Sequence, residues 1–187
     1  MATRPHRRRR RCCRRSRAPL AAARAAAESN GYRVTDLGDQ LQAESRHLGA
    51  SHAALARRLA QDGHARAIIS GGETTVTVQN KAGRGGRNME YLLGLAIALN
   101  GAPGIFALAC DTDGIDGTEN AAGAIITPDT LERARSAGID PAEHLTSNNA
   151  YLFFEALGDL VITGPTLTNV NDFRVILIEN ERPEGKD

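Results

Sequence analysis

Short apolar runs alternate along this chain with longer segments of helical periodicity. Residues 65–70 (ARAIIS) and 105–110 (IFALAC) are typical of buried strands. Between them, residues 89–101 (MEYLLGLAIALNG) predict a helix that packs on the sheet. Because strands alternate with helices, the pattern favours an α/β fold, a mixed-sheet sandwich. We expect this domain to span residues 18–180.

Four more helices and five more strands are predicted from the same patterns. Alanine-rich and amphipathic segments predict helices, and β-branched or apolar runs predict strands. The helices are expected at residues 18–30, 44–62, 129–138 and 150–157, and the strands at residues 32–37, 74–79, 122–127, 160–163 and 173–178.

Charge divides the chain into a basic head and an acidic body. Residues 1–17 hold nine arginines and no acid, which leaves 14 basic and 22 acidic side chains, a net charge of −8, on the rest. Such dense like charge predicts a disordered head, and residues 181–187 read as a polar tail. A nucleic-acid arm, a targeting peptide and a wrongly assigned start are alternatives for the head.

Composition also excludes several classes of protein. The acidic body and the scarcity of aromatic residues argue against nucleic acid as a partner. Cys12, Cys13 and Cys110 have neither disulfide-framework nor metal-ligand spacing. No secretory segment and no apolar run of about 18 residues occurs, so we expect a cytoplasmic protein that does not bind a membrane.

Four polar, glycine-rich segments fall at the carboxyl ends of predicted strands. In open α/β sheets, ligands bind at the carboxyl ends of strands. The segments are SGGETT, GRGGRN, CDTDGIDG and TGPTLTNVND.

The segment CDTDGIDG, residues 110–117, concentrates carboxylates at the end of a predicted strand. It fails the EF-hand template, because Ile115 and Ala122 stand where oxygen ligands are needed. Asp111 and Asp113 suit Mg²⁺ binding or proton transfer, since adjacent carboxylates raise each other's pKa. The alternative is an acidic turn, because Asp-Gly pairs are common turn formers.

The segment GRGGRN, residues 83–88, is the natural complement of these carboxylates. It lies between a strand and a helix, so the amides of Gly85 and Gly86 can cradle an anion beside Arg84 and Arg87. It lacks Walker A spacing, and a flexible loop with solvated arginines is the alternative.

Two other segments offer polar groups at strand ends. Gly71 and Gly72 would allow close backbone approach to a ligand, with Glu73 as an orienting carboxylate. Asn171 is a hydrogen-bonding candidate, and local turn formation is the alternative for each of these residues.

Several ordered motifs together resemble one family. SGGETTVTV, GRGGRNMEYLL, DTDGIDG with AAGA shortly after, NNAYLFFEALGDLVITGPT and TNVNDFRVIL resemble the C-terminal MOFRL domain of glycerate 2-kinases, which are often labelled hydroxypyruvate reductases. The resemblance covers residues 18–178. It implies ATP-dependent, Mg²⁺-assisted phosphorylation of D-glycerate to 2-phosphoglycerate.

The resemblance also implies roles for individual residues. Arg87 matches an active-site arginine of the family and Asp113 an active-site aspartate. Arg87 would stabilise phosphoryl charge or hold the glycerate carboxylate, and Asp113 would orient the hydroxyl or Mg²⁺. Asp111 and Asp116 are candidate metal ligands.

The family's N-terminal domain, with its active-site lysine, has no counterpart in this sequence. The resemblance therefore implies a truncated kinase with little activity alone, whose partner is the missing domain or a second copy of the chain. Two further hypotheses are a non-catalytic, anion-binding module and an NAD(P)H-dependent hydroxypyruvate reductase, although no dinucleotide fingerprint is present.

Overall fold

One mixed sheet organises residues 17–168 and 171–179, the part of the chain that this computed structural model describes. Its six strands lie in the order β1-β2-β6-β3-β4-β5. Only the β1–β2 pair is parallel, and the other pairs are antiparallel. The strands are β1 (Arg33–Asp36), β2 (Arg66–Ser70), β3 (Ile105–Asp111), β4 (Gly123–Ile126), β5 (Leu160–Val161) and β6 (Asp172–Ile178). The predicted α/β fold with a mixed sheet is confirmed.

The position of β6 brings distant segments to one end of the sheet. β6 runs antiparallel between β2 and β3, so its first residues lie beside the last residues of both neighbours. Asp172 pairs with Asp111 of β3, and Arg174 pairs with Ser70 of β2. Three of the predicted polar segments therefore meet at this end.

Helices cover both faces of the sheet. α1 (Arg17–Ser29) packs through Leu20 against Ala67 and Ile69 of β2 on one face. The opposite face carries the main core. The helices that contribute to that core are α2 (Ser45–Ala60), α3 (Arg87–Leu99), α4 (Thr130–Ser136), α5 (Pro141–Thr146) and α6 (Ala150–Leu157).

Two glycines let α2 and α3 pack backbone against backbone. A Cβ added at Gly49 of α2 would lie 2.3 Å from the Tyr91 carbonyl oxygen, and one added at Gly94 of α3 would lie 2.7 Å from the Arg46 carbonyl oxygen. This contact fixes the start of α3, which carries Arg87, relative to α2.

We expect Gly49→Ala to lower the free energy of unfolding by about 1–3 kcal/mol, because a methyl group there overpacks the α2–α3 contact. In an exposed helix the same change stabilises by up to about 1 kcal/mol. Urea unfolding measures the difference. The matched control is Ser51→Ala on the exposed face of α2, which should leave stability nearly unchanged. An unchanged midpoint for Gly49→Ala would contradict the close packing.

The structure corrects two expectations. Residues 74–79, predicted as a strand, form only an isolated bridge between Thr75 and Glu44, and α5 lies where a loop was expected. The predictions for residues 1–17 and 181–187 fall outside the described residues, except that Arg17 already belongs to α1. No helix within residues 17–168 and 171–179 is long and apolar enough to cross a membrane.

Candidate active site

A cavity of about 730 Å³ opens at the sheet end where β2, β3 and β6 meet the start of α3. Seven of the eleven candidate residues line it, namely Glu73, Gly85, Gly86, Arg87, Asp111, Asp113 and Asn171. Its walls also include residues that were not predicted, among them Thr74, Val76, Val78, Asn80, Glu90, Ile115 and Asn148.

Arg87, the first residue of α3, is held by three carboxylates. Its Nε donates to Asp172 at 2.8 Å and its Nη2 to Asp111 at 2.7 Å. Its Nη1 donates to Glu73 at 3.2 Å. Asp172 and Asp111 are buried, whereas the Glu73 side chain is 65% exposed. The guanidinium is therefore anchored on its buried side, and its contact with Glu73 is the weak one.

A second arginine lies behind the first. Arg174 is 1% exposed, and its Nη2 donates to the second oxygen of Asp172 at 2.5 Å. It also donates to the Gly71 carbonyl at 3.1 Å and to the Thr74 hydroxyl at 3.2 Å. Asp172 thus bridges two guanidinium groups and accepts a further hydrogen bond from Asn88 at 2.9 Å.

The loop after β3 presents Asp111 and Asp113 to the cavity. The amide of Asp113 donates to Asp111 at 3.2 Å, and the amide of Ile115 donates to Oδ1 of Asp113 at 2.9 Å. Burial raises the pKa of Asp111, and the charges of Asp113 and Asp172 add to this effect, while the Asp113 amide and Arg87 oppose it. The segment forms the acidic turn, and both carboxylates line the cavity, while their role in Mg²⁺ binding or proton transfer stays a prediction.

Asp116 points away from the cavity into the protein. Its side chain accepts hydrogen bonds from the amides of Asn88 and Met89 at 3.1 and 2.9 Å, which places an anion at the start of α3. Burial raises the pKa of Asp116 to about 6, although these hydrogen bonds oppose it. Gly86 is needed beside it, because a Cβ there would lie 2.4 Å from Cγ of Asp116.

Consequently only part of the predicted anion cradle remains open to a ligand. The amides of Asn88 and Met89 are satisfied by Asp116, and the Arg84 amide donates to Asn149 at 2.9 Å. Within the described part of the chain, the amides of Gly85 and Gly86 donate to no acceptor. The Arg84 side chain lies outside the cavity, paired with Glu119 at 2.6 Å.

Gly71 and Gly72 also lie outside the cavity. Gly72 has a φ of +99°, and a Cβ there would lie 2.5 Å from the Leu41 amide nitrogen. The close backbone approach that these glycines permit is therefore to the chain's own residues, to Leu41 at Gly72 and to Asp39 and Asp172 at Gly71.

The segment from Thr74 to Asn80 forms one wall of the cavity without belonging to the sheet. Side chains from elsewhere hold its backbone. Glu44 accepts from the Thr77 amide at 2.8 Å, and Asn148 accepts from the Gln79 amide at 2.8 Å. Asn148 donates in turn to Glu90 at 3.0 Å, whose charge is paired with Arg46 at 2.8 Å.

Sequence reasoning missed Arg174 as part of the site. The signal was present, because alternation along β6 places Arg174 on the same buried face as Ile176 and Ile178. The long-range roles of Glu90 and Asn148 had no local signal. Among the described residues, no group of three or more His, Cys, Asp or Glu side chains is arranged to hold a metal ion.

Comparison with known proteins identifies the family. The model of the MOFRL family matches residues 66–172. A protein of Agrobacterium vitis named putative hydroxypyruvate reductase is 54% identical over 164 residues, which are 85% of this chain and 37% of that protein. The D-glycerate 2-kinase of Thermotoga maritima is 38% identical over 160 residues, 83% of this chain and 38% of the kinase.

A comparison of folds identifies the same family of relatives. The crystal structure of a glycerate kinase from Thermotoga maritima superposes with a TM-score of 0.81 at 36% identity, over 85% of this chain and 39% of that one. The chain spans about two fifths of the length of the curated relatives it matches. Motifs, fold and family model agree, and the chain belongs to the MOFRL family.

Proposed function

We propose that this chain forms one wall of a glycerate kinase active site, in which Arg87 and Asp113 face the phosphoryl group transferred from ATP to D-glycerate. The observation that carries the proposal is that both side chains line one cavity, with Arg87 anchored from behind by buried carboxylates. A relative that is 38% identical over 83% of this chain is named D-glycerate 2-kinase.

Arg87 supplies the positive charge. Phosphoryl transfer is catalysed mainly by positioning and by stabilising charge on the transferring group. Because two carboxylates hold Arg87 on its buried side, it can meet an oxyanion without reorganising. An incoming phosphate or carboxylate would replace exposed Glu73, whose ion pair is screened by solvent.

Asp113 accepts the proton of the attacking hydroxyl group. In the proposed reaction, the 2-hydroxyl oxygen of glycerate forms a bond to the γ-phosphorus as the bond to the ADP oxygen breaks. The hydroxyl proton then needs an acceptor. Among the described residues, Asp113 uses Oδ1 for its own turn, and Oδ2 receives no hydrogen bond.

The charge of the cavity fits a divalent cation together with a polyphosphate. Glu90 is neutralised by Arg46, so Glu73, Asp111 and Asp113 oppose Arg87, the one arginine among the described residues that line the cavity. Mg²⁺ prefers oxygen ligands and usually takes one or two protein carboxylates. Asp111, whose carboxylate lies in the same cavity, would hold Mg²⁺. Bound Mg²⁺ would neutralise phosphate charge that these carboxylates otherwise repel.

A chimera tests the proposal. Residues 66–172 of this chain replace the matching segment of the Thermotoga maritima D-glycerate 2-kinase, and ADP and 2-phosphoglycerate are measured with ATP, Mg²⁺ and D-glycerate. We expect turnover by the chimera and little by this chain alone, because the chain spans 38% of that enzyme. A folded chimera without turnover would refute the proposal.

Two control assays separate the alternatives. Oxidation of NADH with hydroxypyruvate would instead support the reductase activity for which the Agrobacterium vitis relative is named. Binding of inorganic phosphate by this chain, with an inactive chimera, would indicate an anion-binding module.

A further inference from the structure

We propose that Arg174 and Asp172 are positioning residues for the site, and that they orient Arg87 from behind without touching the substrate. The inference deepens the proposed function, because it concerns how the same arginine is held. It rests on a continuous chain of contacts from the core to the cavity.

Asp172 fixes the orientation of the Arg87 guanidinium. Asp172 accepts from its Nε, the nitrogen closest to the aliphatic stem, at 2.8 Å. Because a guanidinium is planar, a fixed Nε–H direction defines the plane of the whole group and hence the direction of its remaining donors.

Arg174 in turn fixes the orientation of the Asp172 carboxylate. Its two oxygens are divided between the arginines, Oδ1 to Arg87 and Oδ2 to Arg174. The Asp172 side chain is fully buried, so it cannot rotate towards solvent. Without Arg174, the carboxylate would lose the partner that keeps Oδ1 directed at Arg87.

Arg174 also contacts the opposite wall of the cavity. Arg174 also donates to the Gly71 carbonyl and the Thr74 hydroxyl, which flank Glu73 in sequence. The buried side chain of Arg174 therefore holds the segment that carries Glu73 in place. Through Asp172, it also fixes the orientation of Arg87.

Burial of a charged pair rarely contributes to stability beyond what apolar residues of similar volume would give. Arg174 occupies an apolar register position of β6, and its Nε has no acceptor among the described residues. A purely structural strand would be served better by an apolar residue. Positioning of Arg87 explains why an arginine stands there.

The test uses the full chain and inorganic phosphate as probe, with affinity followed by NMR titration. The double variant Asp172→Leu with Arg174→Met replaces the buried pair by apolar side chains, so we expect it to stay folded, with a lower urea midpoint than the wild type because Arg87 and Asn88 lose an acceptor. We expect its phosphate affinity to fall about tenfold, the loss expected when a hydrogen bond to a charged group is removed.

The matched control is Asp159→Leu with Arg133→Met, which removes another ion pair, 2.7 Å long, between residues that do not line the cavity. It should leave phosphate affinity unchanged. Wild-type affinity in the folded Asp172→Leu, Arg174→Met variant would overturn the inference.

A second variant covers the case in which the double variant does not fold. Arg174→Lys keeps the charge but has one nitrogen in place of the two that contact the Gly71 carbonyl and Asp172 separately. We expect the side-chain Nε–H signal of Arg87, assigned by its loss in Arg87→Lys, to shift and to exchange faster with water. An unchanged signal would overturn the inference even if the chain binds no phosphate. Absence of phosphate binding in the wild type would count against the proposed function alone.

Discussion

Arg87→Lys is expected to lower kcat/KM of the chimera by about 10²–10³-fold, the loss typical of removing one donor to a developing oxyanion. Lysine keeps the charge but cannot reach Glu73, Asp111 and Asp172 at once, as the fork of Arg87 does. The variant also leaves Asp111 and Asp172 without one of their partners. We therefore expect the loss to be larger than the retained charge would suggest.

The measurement is steady-state turnover with saturating ATP and Mg²⁺ and varied D-glycerate. Arg133→Lys serves as the control, because Arg133 also forms carboxylate pairs, with Asp129 and Asp159, and does not line the cavity. Its kcat/KM should stay within about twofold. A folded Arg87→Lys chimera with wild-type kcat/KM would show that the guanidinium takes no part in transfer.

Convergence of two polar segments was predictable from their positions at the ends of buried strands, without the strand order. Asp111 ends one buried strand and Gly71 follows another, so both were expected at one end of the sheet. Asn171 lies at the same end of the sheet for a reason that the sequence did not reveal. It precedes β6, and because β6 is antiparallel to its neighbours, the start of this strand joins their ends.

The wall formed by residues 74–79 was not predictable from local pattern. Its β-branched residues alternate as in a strand, but its amides donate to the side chains of Glu44 and Asn148. These partners lie 33 and 69 residues away along the chain from Thr77 and Gln79, respectively. Local propensity cannot report which distant acceptor satisfies a backbone amide.

Asp116 is another residue whose hydrogen-bond partners could not be predicted from the local sequence. The family resemblance made it a candidate metal ligand, yet its side chain caps a helix that starts 29 residues earlier in the chain. The loop bends back because Gly86 leaves room for the carboxylate, whereas a Cβ there would lie 2.4 Å from Cγ of Asp116.

Two buried titratable groups make opposite contributions to stability in mildly acidic solution. His52 lies 2.8 Å from the Tyr91 hydroxyl, and burial, aided by the charge of Arg174, lowers its pKa from 6.5 to about 4. The unfolded chain then binds a proton that the folded chain does not. The stability from neutral His52 is present above pH 6.5 and is lost as the pH falls towards about 4, by about 3 kcal/mol.

Asp116 acts with the opposite sign. Burial raises its pKa from 3.8 to about 6, so the folded chain keeps a proton that the unfolded chain releases. The stability from protonated Asp116 is fully present below pH 3.8 and is lost as the pH rises through about 6, again by about 3 kcal/mol. Asp111, whose pKa burial also raises, adds to this direction.

The two contributions nearly cancel between pH 4 and pH 6, so single variants should reveal them. His52→Gln, which can still bond the Tyr91 hydroxyl, should make stability fall with rising pH, relative to wild type, by about 3 kcal/mol across this window. Asp116→Asn should make it rise by a similar amount. Urea unfolding at closely spaced pH values measures both slopes, and the double variant should restore the wild-type slope, because the two sites do not contact each other. Parallel pH profiles for all four proteins would show that neither group is buried in the protonation state inferred from its surroundings.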